Sequence, residues 1–282
     1  MTAITDRPLV DLRNLTITFA GHRGPVTAVH DLNLTMGRER VAIVGESGSG
    51  KSVSARALIG LLPASASVSA TRMDFDGIDL RGMSEPGFER LRGSRIAMIL
   101  QDPRQSLNPL MTAGQQIVES CRLHHREGRR AARDRAMDLL EAVSIREPQR
   151  VFDLYPHEVS GGMGQRIMIA MMLAAQPDLL IADEPTSALD MSVRTDVLDE
   201  IQKLVEDRGM GLLLISHDLD LVASYTDRVV VMYAGRVMET LESRHLHAAR
   251  HAYTQGLIGC RPVLGHPVDM LPTLEREEAW KS

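Results

Sequence analysis

Apolar and polar residues alternate along LVDLRNLTITFA and again along VTAVHDLNLTM, with a turn from Gly21 to Pro25 between them. A period of two on either side of a glycine and proline turn predicts an antiparallel hairpin. The alternation then stops. VAIVG, residues 41–45, is a continuous apolar run, and SVSARALIGLL, after GESGSGK, has helical spacing, so the chain changes from β-ribbon to a strand-helix unit at Gly45. TRMDFDGIDL reads as another hairpin around an Asp-Gly turn, and RIAMILQ (95–101) as another buried strand. From about Asn108 to Glu158 the apolar positions recur at helical spacing beside many arginines, which predicts an inserted helical subdomain over about 105–175. Two more apolar strands follow, LLIADE (179–184) and GLLLISHD (211–218), separated by a helix, and RVVVMYAGRVME predicts strand, turn, strand. Apolar strands alternating with helices define an α/β class whose parallel sheet carries helices on both faces.

Composition narrows the function classes. With 282 residues and 44% hydrophobic content the chain can bury a large core. Its net charge of −5 lacks the basic footprint of a nucleic-acid binder. The arginine-rich stretch at 126–135 is interleaved with Glu127 and Asp134, the pattern of a solvated helix face. Cys121 and Cys260 form no CxxC pair, so neither a disulfide framework nor a zinc knuckle is expected, and a reducing compartment is the natural reading. No apolar run approaches the roughly 20 residues that cross a bilayer. MTAITDRPLV lacks the basic-then-apolar order of a signal peptide, so any service to a membrane is expected from its cytoplasmic side. Sixteen methionines against 3% aromatic residues imply a core of flexible side chains.

The chemistry begins at GESGSGKS: Gly45, Glu46, Ser47, Gly48, Ser49, Gly50, Lys51 and Ser52. This G-x-x-x-x-G-K-S pattern, after a strand and opening a helix, lets backbone N–H groups wrap α and β phosphates, Lys51 neutralise β and γ phosphates, and the Ser52 hydroxyl ligate Mg2+. LLIADE ends a strand in two acids, where Asp183 suits magnesium and Glu184 suits a general base beside the γ phosphate. Alone, the pair reads as the polar start of a loop. The Gln101 amide suits magnesium or the attacking water, and a neutral His217 suits the γ phosphate, although taken alone Gln101 reads as a polar strand end and His217 as a satisfied surface histidine. VSGGMGQR, residues 159–166, joins a serine cap to glycines at a helix start, an anion seat with no lysine of its own.

GESGSGKS, Gln101 with DPRQSLNP, SGGMGQR, LLIADEPTSALD and ISHD, in that order, resemble the nucleotide-binding subunit of ATP-binding-cassette transporters over roughly residues 8–265. The resemblance implies a P-loop core with an antiparallel β subdomain and a helical insertion, within a cassette spanning 8–240. It implies ATP and Mg2+ as ligands, with Gly45 to Ser52 as the phosphate loop, Ser52, Gln101 and Asp183 at the metal, and Glu184, Gln101 and His217 as catalytic residues. Ser160, Gly161, Gly162 and Gln165 become the signature, Ser187 to Asp190 a further loop with Asp190 at the nucleotide, and Phe19 the aromatic stacked on adenine. The signature would close over ATP held by a second subunit, so the missing lysine comes from the partner.

QDPRQSLNPLMTAGQQIVE and HAYTQGLIGCRP are similar to the oligopeptide, dipeptide and nickel importer ATPases, which implies a short C-terminal extension over 241–282. Ala252 replaces a usual proline, and with only Cys260 in this region no iron–sulfur cluster is expected. The implied partners are a second cassette subunit, in a homodimer or heterodimer, two permease subunits and a solute-binding protein, with the chain peripheral on the cytoplasmic side of the inner membrane. A soluble cassette ATPase acting on DNA or ribosomes stays as the alternative; a kinase or GTPase with the same loop leaves SGGMGQR unexplained. Gly164 stands where relatives usually have a long side chain, and inside a helix glycine costs about 1 kcal/mol relative to alanine, so the signature helix is expected to be loose or to serve the weaker of two sites.

Overall fold

The computed structural model describes residues 7–21, 24–101, 106–187, 189–260 and Trp280. The chain divides into two compact units: one runs to Ser84 and resumes at Leu213, and the other is Glu85–Leu212.

In the first unit, β1 (Val10–Gly21) and β2 (Gly24–Met36) form the expected antiparallel hairpin. Its register shifts between Leu12 and Thr18, and Asn14 (φ 51°) and Asp31 (φ 47°) take the left-handed conformation beside those shifts. The bulges keep Leu12, Leu15, Ile17, Leu32, Leu34 and Met36 on one buried face although strict alternation is broken. β5 (Arg72–Phe75) pairs with β1, and β6 (Ile78–Asp79) folds back on β5. The turn between them has positive φ at both Asp76 (46°) and Gly77 (73°), as a tight hairpin turn requires.

One strand was not legible in the apolar pattern. β4 (Ala66–Ser69) pairs antiparallel with the end of β1, Phe19 opposite Ala66, yet ASVS is short and largely exposed, so its Ala66 and Val68 make too brief an apolar alternation to signal a strand. β3 (Arg40–Val44) is buried along Val41–Val44 and runs parallel to β10 (Arg228–Tyr233), which turns back antiparallel into β11 (Arg236–Glu242). Asp227, just before β10, accepts bonds from the backbone N–H (2.9 Å) and guanidinium (2.7 Å) of Arg40 at the start of β3. Among the described residues this unit also holds the α-helices α1 (Lys51–Leu58), α8 (Leu219–Tyr225) and α9 (Ala252–Gly259).

The second unit opens with α2 (Glu85–Leu91) and the parallel pair β7 (Ile96–Ile99) and β8 (Leu179–Asp183). Between those strands lie α3 (Ala113–His125), α4 (Arg129–Ala142), α5 (Pro148–Phe152) and α6 (Gly161–Leu173). α3 starts with a reciprocal box in which Thr112 accepts from Gln115 N–H (3.3 Å) and Gln115 accepts from Thr112 N–H (2.9 Å). Ile167, Met168, Ile169, Ala170 and Leu173 are all buried, so α6 is apolar on most sides and packs against α3, α4 and β7. α7 (Met191–Arg208) follows β8, and β9 (Gly211–Ile215) carries the chain back toward the first unit.

Candidate functional site

The loop from β3 to α1 is shaped around two close approaches. A Cβ on Gly45 (φ 147°) would stand 2.0 Å from the Met232 carbonyl oxygen, and one on Gly50 (φ 95°) 2.7 Å from the Ala28 carbonyl oxygen. Backbone occupies both positions, so only glycine fits. Lys51, 6% exposed, folds back over the loop and donates from Nζ to the Gly45 and Glu46 carbonyls, both at 2.8 Å. An ammonium has three donors, and these two bonds fix its position rather than merely its charge. Ser52 stands half-exposed in the first turn of α1, Ser47 and Gly48 are exposed, and Ser49 is buried with an Oγ that finds no hydrogen-bond partner among the described residues. The Ser49 carbonyl accepts from Gly235 N–H at 3.1 Å, tying the loop to the β10–β11 turn. Phe19 is half-buried near the end of β1 rather than in the core. His217 is exposed just after β9, and the next residue, Asp218, caps α8 by accepting from the N–H groups of Asp220 and Leu221.

In the second unit Asp183 ends β8 and is 4% exposed. Glu184 has φ 47°, a conformation rare without glycine, and its carbonyl oxygen accepts from both the N–H and the hydroxyl of Ser187 at 3.2 Å. That turn aims the Glu184 carboxylate at Gln101, whose Nε2 donates to Oε2 at 3.4 Å. The structure therefore brings together two of the three residues expected to act on the attacking water. Asp102 to Gln105, which carry most of the DPRQSLNP resemblance, lie outside the described residues, as does Ala188 of the Ser187–Asp190 loop.

Ser160 caps α6, its Oγ accepting from Met163 N–H at 3.3 Å. Ser160, Gly161, Gly162 and Asp190 line one cavity of about 310 Å³ together with Met163, Arg166, Leu189, Val193 and Asp196. Gly162 lets the helix start approach α7, since a Cβ there would lie 2.8 Å from Val193 Cγ1. Gln165 is not on this cavity: it is 1% exposed and its buried Nε2 has no partner among the described residues. Gln165 is turned about 100° from Arg166, toward the packed side of α6. Met163 and Arg166, which no motif assigns, carried no signal in the sequence. Arg166 in turn pairs with Glu200 at 3.2 Å. Burial pushes the Glu200 carboxyl above its usual range, against the opposing pull of Ser144 and Arg166. Among the described residues no group of three or more His, Cys, Asp or Glu stands ready to hold a metal.

A glycine loop between a parallel strand and a helix, with a lysine folded over it, defines the P-loop nucleotide-hydrolysing class. The family profile described as "ABC transporter" matches residues 29–187, and the chain belongs to that family as an ATP-binding, ATP-hydrolysing subunit. It is 43% identical over 268 residues to the dipeptide transport ATP-binding protein DppD of Escherichia coli, covering 94% of this chain and 82% of that protein. It is 45% identical over 260 residues to the oligopeptide transport ATP-binding protein OppD of Mycobacterium bovis, covering 91% of this chain and 42% of that protein. Among solved structures, the ATP-binding cassette MJ0796, a dimer in a post-hydrolysis state bound to ADP and Pi, superposes with a TM-score of 0.74 at 27% identity, covering 83% of this chain and 99% of that one. CbiO1 of Clostridium perfringens, part of an ABC transporter complex, gives 0.73 at 26% identity, with 86% and 92% covered.

Proposed function

We propose that this ATPase powers the import of a peptide-like solute through two permease subunits, working as one half of a cassette dimer on the cytoplasmic face of the inner membrane and served by a solute-binding protein outside. The similarity to the dipeptide and oligopeptide transport subunits supports the solute class. One observation carries the dimer: the cavity at the start of α6 offers a capped helix N-terminus and an Asp190 rim but no lysine among its lining residues, and the arginine that does line it, Arg166, is already paired with Glu200 at 3.2 Å. The helix start favours an anion. Its neutralising ammonium comes from the phosphate loop of a second cassette, so each ATP lies between two chains and binds the closed pair better than the open one.

Within that pair Gly45 to Ser52 hold the phosphates, Phe19 meets the adenine, and Glu184, steadied by Gln101, takes the proton of the attacking water while His217 orients it. Magnesium, if bound there, would supply charge neutralisation at the phosphates. Ser52, Asp183 and Gln101 are the residues that would hold it.

Glu184→Gln should lower turnover by about 10²-fold or more while retaining ATP and trapping the dimer, as read by size-exclusion chromatography. Turnover at the wild-type rate would remove Glu184 as base. In a heterodimer, Ser160→Arg should abolish nucleotide trapping at the partner's phosphate loop; loss at its own loop instead would overturn the shared site.

A further inference from the structure

The C-terminal extension reaches the phosphate loop. Tyr253, in the first turn of α9, is 0% exposed, and its hydroxyl accepts from the Glu46 N–H at 3.2 Å. That N–H belongs to the Gly45–Glu46 peptide, whose carbonyl accepts from Lys51 Nζ at 2.8 Å. A peptide group is a rigid plane. One plane is thus held at both ends, by Tyr253 on the N–H and by the phosphate-binding lysine on the carbonyl.

Tyr253 is itself firmly placed. The Glu239 carboxylate on β11 accepts from the N–H groups of Arg250 (2.8 Å) and His251 (3.2 Å), and His251 Nδ1 accepts from Tyr253 N–H at 3.1 Å. The ring packs against Tyr233 at 4.7 Å and Trp280 at 5.6 Å. Tyr233 ends β10, one residue after the Met232 carbonyl that backs Gly45.

We propose that Tyr253 is a positioning residue for Lys51: by fixing the 45–46 peptide it sets where the ammonium meets the phosphates, so nucleotide affinity depends on the C-terminal extension. Without the hydroxyl the plane can rotate, and Lys51 loses a fixed acceptor. The inference rests on Gly45 to Ser52 being the seat of ATP.

The test is Tyr253→Phe in the full chain, which keeps the ring and removes one oxygen. The KM for ATP, and the Kd for ATP measured calorimetrically without divalent ion, should each rise about three- to tenfold, the loss expected for one hydrogen bond, while kcat falls by less. The nucleotide-free melting temperature should move little. An unchanged KM and Kd, whether or not the melting temperature drops, would make Tyr253 a packing residue and overturn the proposal. Lys51→Ala separates the two readings. If it binds ATP as well as the wild type, the phosphate-loop assignment fails; if it loses ATP while Tyr253→Phe binds normally, only the role of Tyr253 fails.

Discussion

Gly45 shows how tightly a single position can be set. Its φ of 147° lies in the region that favours glycine, and a methyl group there would collide with the Met232 carbonyl at 2.0 Å. Neither partner can yield, because one is a loop held by Lys51 and the other a strand within a sheet. Gly45→Ala should therefore cost about 1–3 kcal/mol and weaken ATP binding together, measured by chemical denaturation and nucleotide titration. Retained affinity at wild-type stability would show that the loop can move. Gly45 and Lys51 were legible in the sequence because the glycine and lysine spacing is itself the chemistry. Gln165 was not, since a motif gives the order of residues and says nothing of which helix face each one occupies.

The helix starts decide how the elements of the second unit are held. Thr112→Ala breaks the reciprocal box that opens α3 and should cost about 1 kcal/mol. Gly114→Ala, two residues on, should cost more, about 1–3 kcal/mol, because its Cβ would fall 2.2 Å from the Phe152 ring on α5. Urea denaturation of the two variants gives the order, and a smaller effect at Gly114 would mean that α5 shifts freely. Elements were legible in proportion to their apolar signal. β3, β7 and β8 bury nearly every side chain, and their runs of Val, Ile, Leu, Ala and Met stand out from the surrounding sequence. β4 is exposed and serine-rich, held by backbone bonds to β1 that leave no mark on side-chain pattern. α9 is short and reads as part of an extension; only its contacts tie it to the loop after β3.

At the scale of the whole molecule, acid stability rests on carboxylates held by donors. The Arg40 guanidinium holds Asp227 below the usual carboxylate range despite partial burial. Burial pushes Glu239 up, but the Arg250 N–H, the Thr254 side chain and the N–H and charge of His251 together more than offset it and leave it low as well. A lowered folded value stabilises above the unfolded value of about 4 and is lost as pH falls through the folded one. The contribution of these two carboxylates to the melting temperature should stay constant from neutral pH to about 5 and be lost below about 4. Asp227→Asn should melt lower than the wild type at pH 7, with the two curves converging in acid; a constant offset would remove Arg40–Asp227 as a source of the pH dependence. Long-range ties of this kind were the least legible feature of the sequence. Glu46 and Tyr253 are separated by 207 positions, and neither residue type announces a bond between a backbone N–H and a phenol.

The approach of Met232 to Gly45 also bears on how the gene can change. Every glycine codon begins with two guanines, so any single-base change at those two places gives a residue with a Cβ, or a stop. Position 232 has no matching restriction, because the atom that Gly45 meets is a main-chain oxygen that any residue there supplies. The requirement is therefore written in one codon and silent in the other, and a mutational survey of the strand would pass over the neighbour that makes the glycine indispensable.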